Sequence, residues 1–400
     1  PEVMKILFVS SVLPYPLHSG GQVRIYNLLK RLSKKHEITL FSFIRSEDER
    51  IHLKNLSFCK KVITIFRGHA WQPIYVFRSF CSTYPFLYTT YNNRFMKDAI
   101  EKELADDSYD LVHIEPGYVW PSIPSLDIPL VVSEHNIEHE IYASYVAGFP
   151  MAAIRPFLSW DVRKMALWER NIWNAAVRVT AVSDVDKKYM SDVVDSKKIS
   201  LVPNGVDLPS FPFVPKKKSI AETMTFLFVG NFSWIQNRNA LEYLLKDIWP
   251  AVRLKHPKAL LRIVGKHIPS ALLSSIDTAH TTLLEFVDSI QEELHKADIM
   301  LAPIRIGGGT KYKILEAQAS GLAVITTTLG AQGMGLVNGK QILIADAIPD
   351  VLEAVEILLN EKTKTLLVTA ARRHIEEHYS WDTIARSLDQ TWQEAYGQKR

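Results

Sequence analysis

Short apolar, β-branched runs alternate with longer amphipathic stretches along this chain, and the whole alternation occurs twice. A run that is apolar throughout, rather than at every second position, reads as a strand buried on both faces. Strands separated by helix-length segments pair in parallel, because the connection has to carry the chain back to the starting edge. The first set comprises 5–10, 38–41, 62–65, 111–114, 130–133, 177–181 and 199–202; the second comprises 225–229, 261–264, 283–286, 299–302, 324–326 and 342–344. The expected fold class is therefore α/β, with two Rossmann-like, doubly wound parallel-sheet domains. Sheets of this kind bind ligands beyond the carboxyl ends of their strands, so the expected site is a central cleft that both sheets face.

The break between the two sets is marked by composition. Residues 207–223 hold Pro209, Pro212, Pro215 and the run Lys216, Lys217 and Lys218, which disfavours regular structure and suits an interdomain crossing. Expected domains are 1–206 and 207–379. The 400 residues are 47% apolar and 22% charged, enough apolar content for two cores and too much for a disordered chain. A net charge of +4 gives no argument for nucleic acid. Two cysteines, Cys59 and Cys81, provide no disulfide or metal framework. No uninterrupted apolar run approaches eighteen residues and no leader pattern opens the sequence, so the expected location is the cytoplasm, with the inner membrane face as a peripheral option.

Chemistry concentrates at two glycine-rich turns. Gly307, Gly308 and Gly309 follow the run 298–303, apolar after Asp298, and lead through Thr310 and Lys311 into a helix bearing Glu316. Free backbone N–H groups at such a strand-to-helix turn, together with the helix dipole, attract phosphate. In the first set, Ser19, Gly20 and Gly21 follow the first strand and precede an amphipathic helix over 23–32, where glycine permits close backbone approach to a ligand.

With these motifs, with the segments 202–207 (VPNGVD) and 315–321 (LEAQASG), and with Val229-Gly230 ending a strand, the chain resembles the GT-B glycosyltransferases, specifically the retaining, nucleotide-sugar-dependent family numbered four. The resemblance implies a UDP- or GDP-sugar donor held by the second domain, and a glycan or lipid-linked acceptor bound by the first. It implies no cofactor and no metal. A helix over about 380–400 is expected to return to domain one. Beside Gly308, the backbone N–H groups of Gly309, Thr310 and Lys311, with the Thr310 hydroxyl and the Lys311 ammonium, would hold the diphosphate, and Glu316 would accept from the ribose hydroxyls. Two departures stand out. Gly308 occupies the position of a glutamate that touches the donor sugar in many members, and Asn231 stands where an arginine is common, leaving Arg238 or Lys311 to compensate. Two alternatives follow: a nucleotide-sugar epimerase of the same architecture, and a degenerate, non-catalytic subunit that binds glycan or nucleotide sugar.

Residues 133–140 (SEHNIEHE) form a polar cluster after a strand. By the resemblance His135 matches a histidine close to the donor sugar, and His135 and Lys311 are the expected catalytic pair. The spacing of His135 and His139 also permits a metal pair with Glu134 or Glu138, a reading set aside in favour of none. Helix capping accounts for Glu140. Ten aromatics between Phe66 and Phe95, among them Trp71 and Phe77, admit two readings, packing within domain one or contact with a membrane or a lipid-linked acceptor. The segment 147–173 admits the same two.

Overall fold

The computed structural model describes residues 2–69, 72–214, 223–273, 276–307 and 312–398. The chain divides into two units, one built from residues 1–204 and 381–400, the other from 205–380. The division falls two residues before the expected 206/207 boundary. The stretch from Asp207 to Val214 is counted with the second unit, where Phe211 is buried and the Val214 N–H donates to Ser320 O at 3.1 Å.

The first unit carries a seven-stranded sheet of β1 (Lys5–Ser10), β2 (Glu37–Ile44), β3 (Lys61–Phe66), β4 (Leu111–Glu115), β5 (Leu130–Ser133), β6 (Arg178–Ala181) and β7 (Ile199–Leu201), in the order β3-β2-β1-β4-β5-β6-β7. Every pairing is parallel. Leu7, Val9, Phe41, Val112, Ile114, Val132 and Val179 are all buried, as all-apolar strands covered by helices on both faces require. The register pairs Ser10 with Glu115 and Ser133 with Thr180, so the polar strand ends line up along one carboxyl edge.

The second unit carries β8 (Thr225–Val229), β9 (Leu260–Val264), β10 (Thr281–Leu284), β11 (Ile299–Ala302), β12 (Ala323–Thr326) and β13 (Leu343–Ile344), all parallel in the order β10-β9-β8-β11-β12-β13. Only β10 is displaced from its expected 283–286. It starts two residues earlier because Thr281 and Thr282 pair with Leu261 and Arg262, which leaves Phe286 beyond the strand and exposed.

The helix Trp381–Gly397 belongs to the first unit. Its buried Trp381, Ile384, Ala385, Leu388, Trp392 and Ala395 recur at helical spacing and form one apolar face. Asp382 pairs with Arg31 at 3.1 Å, and Asp389 accepts from His36 at 2.9 Å, which ties the helix to the segment after β1. Among the described residues no helix is long and apolar enough to cross a membrane.

Candidate active site

At the carboxyl edge of the first sheet the glycines sit differently from the expectation. Gly20 and Gly21 are the first two residues of the helix Gly20–Leu32 rather than part of the loop before it, because the Ser19 hydroxyl caps the helix by accepting from the Gln22 N–H. Gly21 lies against His135: a Cβ there would meet the imidazole Cε1 at 3.3 Å and Nδ1 at 3.4 Å. The absent side chain makes room for the ring.

His135 is held by a buried carboxylate that the sequence reading passed over. Glu115, the last residue of β4, accepts from His135 Nε2 at 2.8 Å and from Arg24 Nε at 2.6 Å on Oε1, and from His113 Nε2 at 3.1 Å on Oε2. Burial alone would raise its pKa, but the Arg24 charge and the two histidine hydrogen bonds outweigh it, holding the carboxyl well below the usual carboxylate range. A carboxylate can only accept, so both ring nitrogens that face it carry hydrogen. The indole N–H of Trp392 can only donate, and it reaches His113 Nδ1 at 3.0 Å; His113 is therefore the Nε2–H tautomer, and burial lowers its pKa. Arg24 also donates from Nη1 to Pro203 O at 2.8 Å and to Asn204 Oδ1 at 3.2 Å. His135 Nδ1 is left without a protein partner among the described residues, on the side of Gly21.

The rest of the 133–140 cluster disperses. The helix begins at Glu138, so His135 precedes it and does not share a helical face with His139, which removes the geometry of a two-histidine metal pair. Glu134 turns inward to accept from Trp173 Nε1 at 2.9 Å, and burial with the nearby Glu169 charge pushes its pKa well above the carboxylate range. His139 is engaged by Glu169 through Nδ1 and by the Tyr189 hydroxyl through Nε2 at 2.6 Å. Glu169 also accepts from the Glu138 N–H at 2.8 Å, capping that helix in place of a local residue. Burial, with Glu169 adding to it, raises the Glu138 carboxyl to about 7.

In the second unit, Gly230 and Asn231 follow β8 directly. A Cβ on Gly265, after β9, would lie 1.7 Å from Gly230 O, so only glycine permits that approach of two backbones. Asn231 Oδ1 accepts from the Ser233 N–H at 3.0 Å and its carbonyl accepts from Asn237 Nδ2 at 2.8 Å; Asn237 Oδ1 in turn accepts from Lys313 Nζ at 2.8 Å. Lys313 thus stands where a cation was sought at this turn, whereas Arg238 is exposed on the helix Ile235–Tyr243. Gly308, Gly309, Thr310 and Lys311 lie outside the described residues. Gly307, with φ of 99°, packs against Gln236. Glu316, on the helix Tyr312–Ala319, has its carboxyl raised to about 7 by burial, with Lys313 opposing. Beyond β11 and β12 a cavity of about 350 Å³ is lined by Ile304, Arg305, Thr327, Thr328, Gln332 and Asp346.

Two family models match in succession. Residues 18–209 match "Glycosyltransferase Family 4" and residues 223–361 match "Glycosyl transferases group 1". The chain belongs to the family 4, group 1 glycosyltransferases. A phosphatidyl-myo-inositol mannosyltransferase of Mycobacterium tuberculosis is 24% identical over 311 residues, 74% of this chain and 77% of the relative. A glycogen synthase of the same organism is 23% identical, over 66% of this chain and 63% of its own. Among solved structures, sucrose-phosphate synthase of Thermosynechococcus elongatus superposes with a TM-score of 0.75 at 16% identity, covering 98% of this chain and 100% of that one. Anabaena HepE, solved with UDP and glucose, gives 0.65 at 13%, covering 98% and 99%. These likenesses give the GT-B fold.

In this glycosyltransferase the structure brings Gly21 and His135 together, and in the other unit Asn231, Asn237 and Lys313. Glu115, His113, Arg24 and Trp392 were missed as site residues. A signal existed for two of them: His113 and Glu115 stand two apart in a strand that is otherwise apolar, hence on one face of a buried sheet, where polar groups require partners. Nothing in local spacing connects either to Trp392, which lies 279 positions from His113.

Proposed function

We propose that this chain moves a sugar, with retention of anomeric configuration and without a metal, from a nucleoside diphosphate sugar bound by the second unit to a hydroxyl of a glycan or lipid-linked acceptor bound by the first, in bacterial glycan or glycolipid synthesis. The observation that carries the reading is the His135 imidazole, oriented by Glu115 and opposed by glycine at the carboxyl edge of a doubly wound sheet. A buried Arg24–Glu115 ion pair and a second histidine, His113, spent on fixing one ring make a preorganised hydrogen-bonding group.

The reaction needs the departing diphosphate stabilised, the sugar held as its anomeric bond breaks, and the acceptor hydroxyl aligned. Lys313, beside the Gly230 turn, supplies positive charge toward the phosphates. Glu316 in its ionised form accepts from the ribose diol. His135, through Nδ1, positions a hydroxyl of the sugar or the acceptor. The acceptor oxygen bonds to the anomeric carbon on the face the phosphate leaves, and the acceptor proton passes to the departing phosphate oxygen, so no strong protein base is required.

The relatives that act on phosphatidyl-myo-inositol and the exposed Phe77, Phe80 and Phe157 of the first unit together support a lipid-linked acceptor and peripheral contact with a membrane. The test is a transfer assay in chelator with labelled UDP- and GDP-sugars and a panel of glycan and lipid-linked acceptors, with the anomeric configuration of the product read by NMR. A product of retained configuration formed without metal supports the reading. Interconversion of the nucleotide sugars without an acceptor would favour an epimerase instead.

A further inference from the structure

Arg67 follows β3 directly and is only 6% exposed, yet its Nε and Nη1 are buried with no hydrogen-bond partner, and among the described residues it forms no ion pair. A buried guanidinium with unmade hydrogen bonds is costly, and folded proteins rarely keep one without a use. Its Cζ lies over the Tyr91 ring, 4.5 Å from the centroid. Contacts then lead along the carboxyl edge of the first sheet. Tyr91 packs on Tyr118 at 4.9 Å, and the Tyr118 hydroxyl is 3.3 Å from Ser11 Oγ. The Ser11 N–H donates to Glu115 O at 3.3 Å, and Glu115 holds His135. Arg67 is thus at the same edge as the proposed acceptor-positioning group, with the two tilted tyrosine rings between them.

We infer that Arg67 is an oxyanion subsite for the acceptor, taking a phosphate or carboxylate group that the acceptor carries away from its reacting hydroxyl. Guanidinium suits this role because its planar fork can bind two oxygens of one anion while one face stays stacked on an aromatic ring. Four strand spacings, β3 to β2 to β1 to β4 to β5, separate the two positions, or about 19 Å before side-chain reach. An acceptor that spans them presents hydroxyl and anion at opposite ends of an extended molecule. The inference rests on the proposed sugar transfer to an acceptor bound by the first unit.

The test follows the Nε–H resonance of Arg67 in protein labelled with ¹⁵N-arginine and saturated with nucleoside diphosphate, the peak being assigned by its loss in Arg67→Met. Inorganic phosphate, acetate, and phosphatidylglycerol vesicles in phosphatidylcholine are titrated separately. A saturable shift with phosphate indicates a soluble phosphoryl group, one with acetate a carboxylate, and one with vesicles alone a lipid headgroup; any of the three supports the subsite. In Arg67→Met, affinity for the responding anion should fall at least tenfold while the melting temperature holds or rises, because unmade hydrogen bonds have been removed. Arg67→Lys should retain part of the affinity. No shift in any arm overturns the inference, as does an Arg67→Met protein that melts lower and binds anion like the parent. Nucleoside diphosphate affinity in the same samples keeps the two claims apart: its absence defeats the proposed donor, whereas its presence with an unmoved Arg67 defeats only the subsite.

Discussion

Trp392 donates its indole N–H to Nδ1 of His113 at 3.0 Å, so a residue of the returning helix fixes the tautomer of a histidine in the fourth strand of the first sheet. That histidine then has only its Nε2–H to offer Glu115, and Glu115 orients His135. The terminal helix therefore acts on the site through hydrogen bonds as well as packing.

Trp392→Phe tests this link. It keeps an aromatic ring beside His36 and His113 but leaves His113 Nδ1 unpaired, which should cost about 1–3 kcal/mol in denaturant unfolding. Turnover should fall as well, with nucleoside diphosphate affinity close to the parent. Unchanged turnover in a destabilised protein would confine Trp392 to packing.

Glu115→Gln removes the charge that pairs with Arg24 in a fully buried setting and should cost about 3–5 kcal/mol of stability. The sign of its pH dependence follows from a pKa depressed in the folded state. The stabilisation is present in full above the ordinary carboxylate value of 4.5 and is lost as pH falls below it toward the depressed folded value. The parent should therefore lose more stability than Glu115→Gln on acidification below about 4.5, measured by thermal unfolding across pH. Parallel pH profiles would contradict this.

Glu316 works in the opposite sense, because burial raises its carboxyl to about 7. Between the ordinary value of 4.5 and about 7 the folded chain holds a proton that the unfolded chain has released, so this group's stabilisation is lost as pH rises through that window. Glu316→Gln should accordingly be more stable than the parent at pH 8, the advantage vanishing near pH 4.5. Ribose recognition by a carboxylate predicts that the parent's nucleoside diphosphate affinity gains, on rising through about pH 7, relative to Glu316→Gln. Identical pH dependence in the two proteins would remove Glu316 from the nucleotide site.

Much of the architecture was legible because strands buried on both faces must be apolar throughout. Runs such as 5–10 and 225–229 declare themselves, and the helices between them force parallel pairing. Turn chemistry was less legible: Gly20 and Gly21 were expected before a helix over 23–32, but the Ser19 cap starts that helix at Gly20 and takes both glycines into its first turn. The partner network around His135 was not legible. Its members come from β1's following helix, β4, the segment after β5 and the terminal helix, and only tertiary packing makes them neighbours. The polar run 133–140 misled for the same reason: equal spacing on paper parted into three separate sets of partners once the helix began at Glu138.

The aromatic segment splits between the two readings. Tyr88 and Tyr91 are buried, whereas Phe77, Phe80, Phe157 and Trp160 are exposed, and the Phe80 and Trp160 rings meet at 6.0 Å, joining two helices into one apolar patch. Trp71 lies outside the described residues. Co-sedimentation with anionic liposomes should fall several-fold in Phe77→Ser/Phe157→Ser while the melting temperature holds, since exposed side chains contribute little to the core. A parent that never sediments with liposomes defeats the membrane reading.

The central claim is tested most directly by calorimetric titration of the parent, Lys313→Ala, Glu316→Gln and His135→Ala proteins with UDP, GDP and their sugar conjugates in chelator. The account predicts selective binding of one nucleotide by the parent, at least tenfold weaker binding in Lys313→Ala, and near-parent nucleotide affinity but depressed turnover in His135→Ala. Failure of every nucleotide to bind the parent would contradict it and favour a non-catalytic, glycan-binding role for this fold.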